Sequence, residues 1–302
     1  MDKIGIISTV RAPLSQLKMF VNYHLNLGID KIILFFDDPK DEGIDFYSDN
    51  KKIITIPCSD LYWSKISSTK TKPETVVQRQ IANLNHIGLQ ILKGENCKWV
   101  IHIDCDELLR PLDNIKTILK RSKEDVLVFD LLEAYPTKEN YSNIFSPTIF
   151  KRLSSNKKIN IAKLLLCSNA IYNDEYFRGH TRSKTAVRIS PKVKRYKIHR
   201  HKGHERLIVR HTKDIQLLHY DCVGINDWKV KWDRRIDGTG KSTTIRKNRK
   251  QQLNEYINAK EKNTLSSLYK RMHRLRKSEY LQLFSLRMIT QVKLNKELFK
   301  NT

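Results

Sequence analysis

Five cysteines, ten glycines and four methionines in 302 residues leave little material for a disulfide-stapled or glycine-rich fold. The cysteines (Cys58, Cys97, Cys105, Cys167 and Cys222) are odd in number, scattered, and form no C-x-x-C pair. A disulfide framework and a zinc ribbon are therefore not expected. No stretch approaches the roughly 20 apolar residues of a membrane-spanning helix. The start, Met1-Asp2-Lys3-Ile4-Gly5-Ile6-Ile7, lacks the apolar core and cleavage site of a signal peptide. The expected location is thus cytoplasmic. Negative charge is also scarce: 32 Asp and Glu face 57 Lys and Arg, a net +25. That excess suits a polyanionic partner such as nucleic acid, anionic lipid or an acidic glycan. A composition rich in Lys, Asn and Ile throughout accounts for part of it.

Hydrophobic residues make up 39% of the chain, enough for one large domain or a domain with a helical appendage. Over the first 130 residues, strands and helices alternate. Lys3–Thr9 reads as a strand and Pro13–Leu27 as a helix stopped by Gly28. Lys31–Phe36 (KIILFF) has the continuous apolar character of a buried parallel strand. Lys52–Ile56, Trp99–Ile103 and Asp125–Asp130 read as further strands. Pro73–Lys93 and Pro111–Arg121 read as helices, the first ended by Gly94. This alternation predicts a mostly parallel sheet with helices on both faces. Beyond residue 145 short strands are expected at Thr148–Leu153, Thr185–Ile189, Leu207–Arg210 and Ile215–His219. From Asp227 onward the chain is charged and helix-biased; Lys229 to Thr302 holds 20 Lys and Arg against 6 Asp and Glu.

The strongest chemical signal is Trp99-Val100-Ile101-His102-Ile103-Asp104-Cys105-Asp106-Glu107. An apolar strand runs directly into three carboxylates within four residues. Ligands of open α/β sheets bind at the carboxyl ends of strands, so the acidic cluster falls where a site belongs. Oxygen ligands suit a hard cation, Mg²⁺ or Mn²⁺, which neutralises a diphosphate. Acidic residues also end strands as plain turn formers; the preceding buried strand and the neighbouring elements favour the metal.

Those elements are Ser8-Thr9-Val10-Arg11, then Asn22-Tyr23-His24-Leu25-Asn26-Leu27-Gly28, then Phe36-Asp37-Asp38-Pro39. Gln78-Arg79-Gln80-Ile81-Ala82-Asn83 precedes the acidic strand, which closes on Glu107-Leu108-Leu109. Together they resemble GT-A-fold glycosyltransferases, the family 2-like members and the related family 92-like group, closely over residues 4–130 and loosely over 180–235. The resemblance implies a GT-A-like α/β domain at residues 1–228, with a nucleotide-sugar-binding half (1–130) and an acceptor half (131–228). Residues 229–302 would form a basic helical extension. It also implies a metal held by Asp104 and Asp106, with His219, at the end of the apolar strand Ile215–His219, as third ligand. Asp104 could instead reach the ribose, and Glu107 could simply support the loop.

Around that core, Arg11 suits a diphosphate or base contact, and Asp37 or Asp38 could accept hydrogen bonds from base or ribose. Gln78 is a candidate lining residue of the donor pocket. Lys184 and Lys231 are candidates to stabilise the departing diphosphate. Inverting transfer needs a carboxylate base near the acceptor hydroxyl, and Glu205, Asp221 and Asp227 are the candidates. Tyr23 and His24 read as packing groups. His180, His199, His201, His204 and His211 compete with His219, although Arg200 and Lys202 disfavour a cation in the 199–204 run.

The expected activity is transfer of a sugar from a nucleotide-diphospho-sugar to a hydroxyl of a glycan or lipid-linked acceptor, in cell-surface polysaccharide or lipopolysaccharide synthesis. A nucleotidyltransferase is the alternative, weakened by the missing glycine in Ser8–Pro13. A nucleic-acid-binding protein is another, but no binding module is present. In the tail, Leu265, Leu268, Tyr269, Met272 and Leu275, then Tyr280, Leu281, Phe284 and Leu286, are interleaved with Lys270, Arg271, Arg274, Arg276 and Lys277. Such a helix packs its apolar stripe inward or rests on an anionic membrane as a peripheral contact; packing is the favoured reading.

Overall fold

The computed structural model describes residues 2–238 and 247–301. The rest of the expected basic extension, residues 239–246, lies outside the described residues. Two compact units are formed, one from Met1–Asp130, Arg182–Leu217 and Asn295–Thr302, the other from Leu131–Thr181 and Leu218–Leu294.

In chain order the elements begin with β1 (Lys3–Val10), α1 (Leu14–Asn26), β2 (Lys31–Phe36), α2 (Gly43–Phe46), β3 (Ile53–Pro57) and α3 (Asp60–Ile66). A long helix follows as α4 (Val76–Ala82), a π-helical turn (Asn83–Gly88) and α5 (Leu89–Gly94). Then come β4 (Cys97–His102), β5 (Glu107–Pro111), α6 (Ile115–Arg121), β6 (Val126–Ala134), β7 (Ile149–Arg152) and α7 (Asn156–Leu164). The short strands β8 (Thr185–Arg188), β9 (Val193–Arg195) and β10 (Lys202–Gly203) precede the long β11 (Val209–His219). The chain ends with α8 (Ile225–Ile236), α9 (Lys247–Glu261), α10 (Leu265–His273), α11 (Lys277–Ser285) and β12 (Ile289–Gln291).

The first unit is an α/β fold with a mostly parallel sheet, as the alternation predicts. Its strands run β4-β1-β2-β3 in parallel, and β8 and the start of β6 add antiparallel neighbours beside β4. Ile7, Ile33, Phe35 and Val100 pack with Trp63, Leu84, Leu89 and Leu92 from α3 to α5. The alternate residues Ile6, Ile32, Leu34 and Ile101 are fully buried too, which is why these strands read as unbroken apolar runs rather than alternating ones. Gly28, at φ +101°, closes α1, and the N–H groups of Gly28 and Ile29 return to the carbonyls of Leu25 and His24.

Two strands expected at Leu207–Arg210 and Ile215–His219 are one strand, β11. Its first half is polar and partly exposed, which hides the strand from an apolar pattern, yet the ladder with β5 and β6 is there.

The second unit is antiparallel and helical. The end of β6 pairs β7, which pairs β12. One of its core clusters is largely aromatic: Trp228 and Trp232 of α8, Tyr256 of α9, and Tyr269 of α10 with Leu268 and Met272. The apolar stripe of α10 is therefore buried inside this unit, as the packing reading expects, whereas Leu281 and Phe284 of the same tail are exposed, against it. Among the described residues no helix is long and apolar enough to cross a membrane.

Candidate functional site

Among the parallel strands of the first unit, chain order and strand order disagree at one place. The chain winds from β1 outward to β2 and β3, then returns to lay β4 on the other side of β1. Helices on either side of such a reversal diverge and leave a crevice at the carboxyl ends of the strands. Here those ends are Thr9-Val10-Arg11 from β1 and Ile103-Asp104 from β4. The acidic run thus sits where the topology opens.

Several buried groups hold that run in place. Glu107, fully buried, accepts the Asp104 N–H at 2.8 Å. The Asp104 carboxylate accepts from Lys184 Nζ at 2.7 Å and from Gln80 Nε2 at 2.5 Å. Lys184 also lies 3.4 Å from Glu107. Burial alone would push Asp104 up, but the adjoining ammonium of Lys184 outweighs it and holds the carboxyl below its ordinary value. Conversely, burial disfavours the Lys184 charge, yet Asp104, then Glu107, raise it above a free lysine. Asp106 is half-buried and adds to the field on Lys184. One buried ammonium thus faces three carboxylates.

Behind the acidic run, Tyr23 and His24 act as its anchor. The Tyr23 hydroxyl donates to the Leu109 carbonyl at 2.8 Å. Buried His24 places Nδ1 2.8 Å from the Phe20 carbonyl, and its Nε2 accepts the Leu109 N–H at 3.3 Å. That pair of contacts requires the neutral ring with the proton on Nδ1. Burial lowers its pKa to about 3, against the Phe20 bond and Glu107. So the packing role read for both residues has a specific target, the strand β5 that follows Asp106.

The other expected donor-side residues fall into separate places in the unit. Asp37 ends β2 and is buried against Arg79 Nε at 2.8 Å and Lys72 Nζ at 3.2 Å. Asp38 is exposed and accepts the Lys40 N–H at 3.0 Å, a local turn contact. Arg11 is exposed just beyond β1. Gln78 folds back onto Thr75 as the capping box of α4. Two residues later, Gln80 is the helix residue that reaches Asp104. Asn83 is buried and bridges Thr9 Oγ1, at 2.9 Å, and the Tyr62 hydroxyl, at 2.7 Å. Gln80, Asn83 and Leu84 stand at helical i, i+3, i+4 spacing. Two amides on the buried stripe of a helix were the legible sign of these roles. Glu205 is exposed and lies 3.8 Å from Lys192.

In the second unit a different group gathers. Glu133 of β6 is buried and accepts the N–H of Arg178 at 2.9 Å and of Gly179 at 2.6 Å. The His219 ring lies on Gly179, where an added Cβ would stand 2.4 Å from its Cε1; only glycine fits there. His180 stacks on His219 at 4.5 Å between centroids. Asp221 follows, with Lys231 at 3.4 Å and Arg249 at 3.9 Å. Burial opposes its charge, but Lys231, then His219 and Arg249, hold its carboxyl well below the ordinary range. Asp227 meets the same Lys231 at 3.4 Å. His219, Asp221, Asp227 and Lys231 are thus brought together. Cys222, with φ +56°, holds a strained turn beside them.

No family model matches the chain, and no curated protein matches it. Among solved structures it is similar in part to S. aureus TarS 1-349, at 13% identity and TM-score 0.34, over 62% of this chain and 47% of that one. The chain therefore spans about half the length of that structure. HddC from Yersinia pseudotuberculosis overlaps 76% of this chain and 97% of its own at 12% identity and TM-score 0.37. The 4-diphosphocytidyl-2C-methyl-D-erythritolsynthase from Anaerococcus prevotii overlaps 62% and 71% at 14% identity and TM-score 0.31.

Proposed function

We propose that this chain is a metal-dependent glycosyltransferase that moves a sugar from a nucleotide-diphospho-sugar to a hydroxyl of a glycan or lipid-linked acceptor, in cell-surface polysaccharide or lipopolysaccharide synthesis. The observation that carries the reading is the acidic run at the carboxyl end of β4, at the point where strand order reverses, fixed from behind by Tyr23, His24 and Glu107. Effort spent on positioning such a loop is what a binding site needs and a plain turn does not.

The residues fit a divalent cation. Three carboxylates face one buried ammonium, and the excess of negative charge matches Mn²⁺ or Mg²⁺. Asp106 is the first ligand in this reading, Asp104 the second, and His219 the proposed third. The ion would supply charge neutralisation of the diphosphate. Lys184, held charged beside Asp104, would steady the diphosphate as it leaves. Arg11 and Asp37 at the ends of β1 and β2 would contact the nucleotide, Asp38 and Gln78 being engaged locally. Residues 1–130 carry the donor half in this proposal and 131–228 the acceptor half. Of the candidate bases, Asp227 is preferred. Asp221 is held too far below neutrality to take up a proton readily.

A panel of nucleotide-sugars, assayed for binding and hydrolysis with and without Mn²⁺, tests the proposal. Binding that requires the ion is expected, with Asp106→Ala lowering turnover by roughly 10²–10³-fold. Absence of metal-dependent nucleotide binding by the unaltered chain would end it.

A further inference from the structure

Six of the exposed large apolar side chains belong to two segments of the second unit. Leu153 follows β7, Leu164, Leu165 and Leu166 close α7, and Leu281 and Phe284 lie on α11. Leu164 and Leu166 are each 82% exposed, Leu281 71% and Phe284 54%. Hydrogen bonds tie these segments side by side. The Arg152 N–H reaches the Met288 carbonyl at 2.8 Å, and Cys167 Sγ reaches Gln282 Oε1 at 3.1 Å. The Asn169 N–H reaches Glu279 Oε1 at 2.8 Å. Leu166 also holds φ +57°, a strained conformation for a branched residue, with its side chain in solvent.

The charge around them has one sign. Residues 152–166 and 270–287 contain ten Lys and Arg and one acidic residue, Glu279, which is buried. Facing acids neutralise only part of this: Asp174 pairs with Lys163 and Glu139 with Lys270. Beside the apolar residues opens a cavity of about 740 Å³ lined by Lys270, Arg271, Arg274, Arg276 and Lys277, with Tyr280. Lys277, Leu281 and Phe284 share one face of α11 at i, i+4, i+7, and Tyr280 stacks on Phe284. One helix face therefore begins in the basic cavity and continues as apolar side chains.

We propose that this face docks the second unit on an anionic lipid bilayer. Leu164, Leu166, Leu281 and Phe284 would enter the headgroup boundary, and the basic cavity would take up lipid phosphates. The pairing of protruding apolar side chains with a basic surround is complementary to such a surface. A soluble phosphate ester would match the cavity but not the leucines. The surface differs from the apolar stripe of α10, which is buried. The inference is independent of the nucleotide-sugar reading, since its readout is vesicle binding.

The full chain is sedimented with phosphatidylcholine vesicles, with and without phosphatidylglycerol. Binding is expected only with phosphatidylglycerol. Leu164→Ser with Leu166→Ser, and separately Leu281→Ser with Phe284→Ser, should each weaken it at least about tenfold. Arg274→Gln with Lys277→Gln should weaken it by about tenfold or more. Lys51→Gln with Lys52→Gln, exposed in the first unit, should leave binding within about twofold. All substituted positions are exposed, and circular dichroism checks that each variant folds. Failure to bind phosphatidylglycerol vesicles, or equal loss in the Lys51/Lys52 control, overturns the proposal. So does indifference to the apolar substitutions, or binding of soluble glycerol phosphate by a chain that ignores vesicles.

Discussion

The first unit buries its decisive charges and the second exposes many of its own. Asp104, Glu107 and Lys184 lie together at the carboxyl end of β4, the ammonium offsetting the carboxylates. In the second unit, Trp228, Trp232, Tyr256 and Tyr269 fill the interior while Arg271, Arg274, Arg276 and Lys277 line an open cavity. The contrast has a physical origin. A parallel sheet covered on both faces leaves only its strand ends for polar chemistry. Amphipathic helices bury one stripe and leave the other free to carry charge.

The largest test of this contrast is Trp228→Ala. It opens a cavity in the aromatic cluster and should cost about 3–5 kcal/mol, read as lost hydrogen-exchange protection in α8, α9 and α10. Strands β1, β2 and β4 should keep theirs. Equal loss in both sets would dissolve the distinction between two separately packed cores.

Acid should attack the first unit in part through buried His24. Because burial lowers His24 to about 3 from 6.5, the folded chain stays unprotonated there while the unfolded chain takes up a proton. Its contribution to stability is full above the ordinary histidine value and shrinks as pH falls toward 3. The slope is about 1.4 kcal/mol per pH unit. Urea unfolding between pH 7 and pH 5 should show this, and His24→Gln should remove about one proton from the slope. An unchanged slope would mean that the ring is not held neutral against Leu109.

The smallest effect expected is at Asp38. Its side chain makes an exposed turn contact with the Lys40 N–H, so Asp38→Ala should shift stability by no more than about 0.5 kcal/mol. Nucleotide affinity should also hold, in contrast with Asp37→Ala, which removes the ion-pair partner of the buried Arg79. A large loss of nucleotide affinity at Asp38 would reverse the assignment of these two residues.

Much of the first unit was legible in sequence because its signals are local. KIILFF fills β2 as expected, Gly28 closes α1, and the acidic run stands at the end of β4. Less of the second unit was, since its strands are short and its helices polar outside the buried stripe. Gln80 illustrates the limit within the better-read half. Helical phase decides which of Gln78 and Gln80 turns toward Asp104, and a two-residue spacing reverses the face. The burial and ion pairs of Lys184 left no local sign, because its partners lie 80 and 77 positions away.

The sequence by itself determined the α/β class, the strand that carries the acidic run and the chain's basic character. Composition and periodicity are properties of neighbouring residues, so they survive in one dimension. Tertiary structure alone decided that Tyr23 and His24 brace β5, that Lys184 neutralises Asp104, and that the apolar stripe of α10 is buried while Leu164 and Phe284 are not. Each of those depends on which distant segments meet, and burial is settled only when they do.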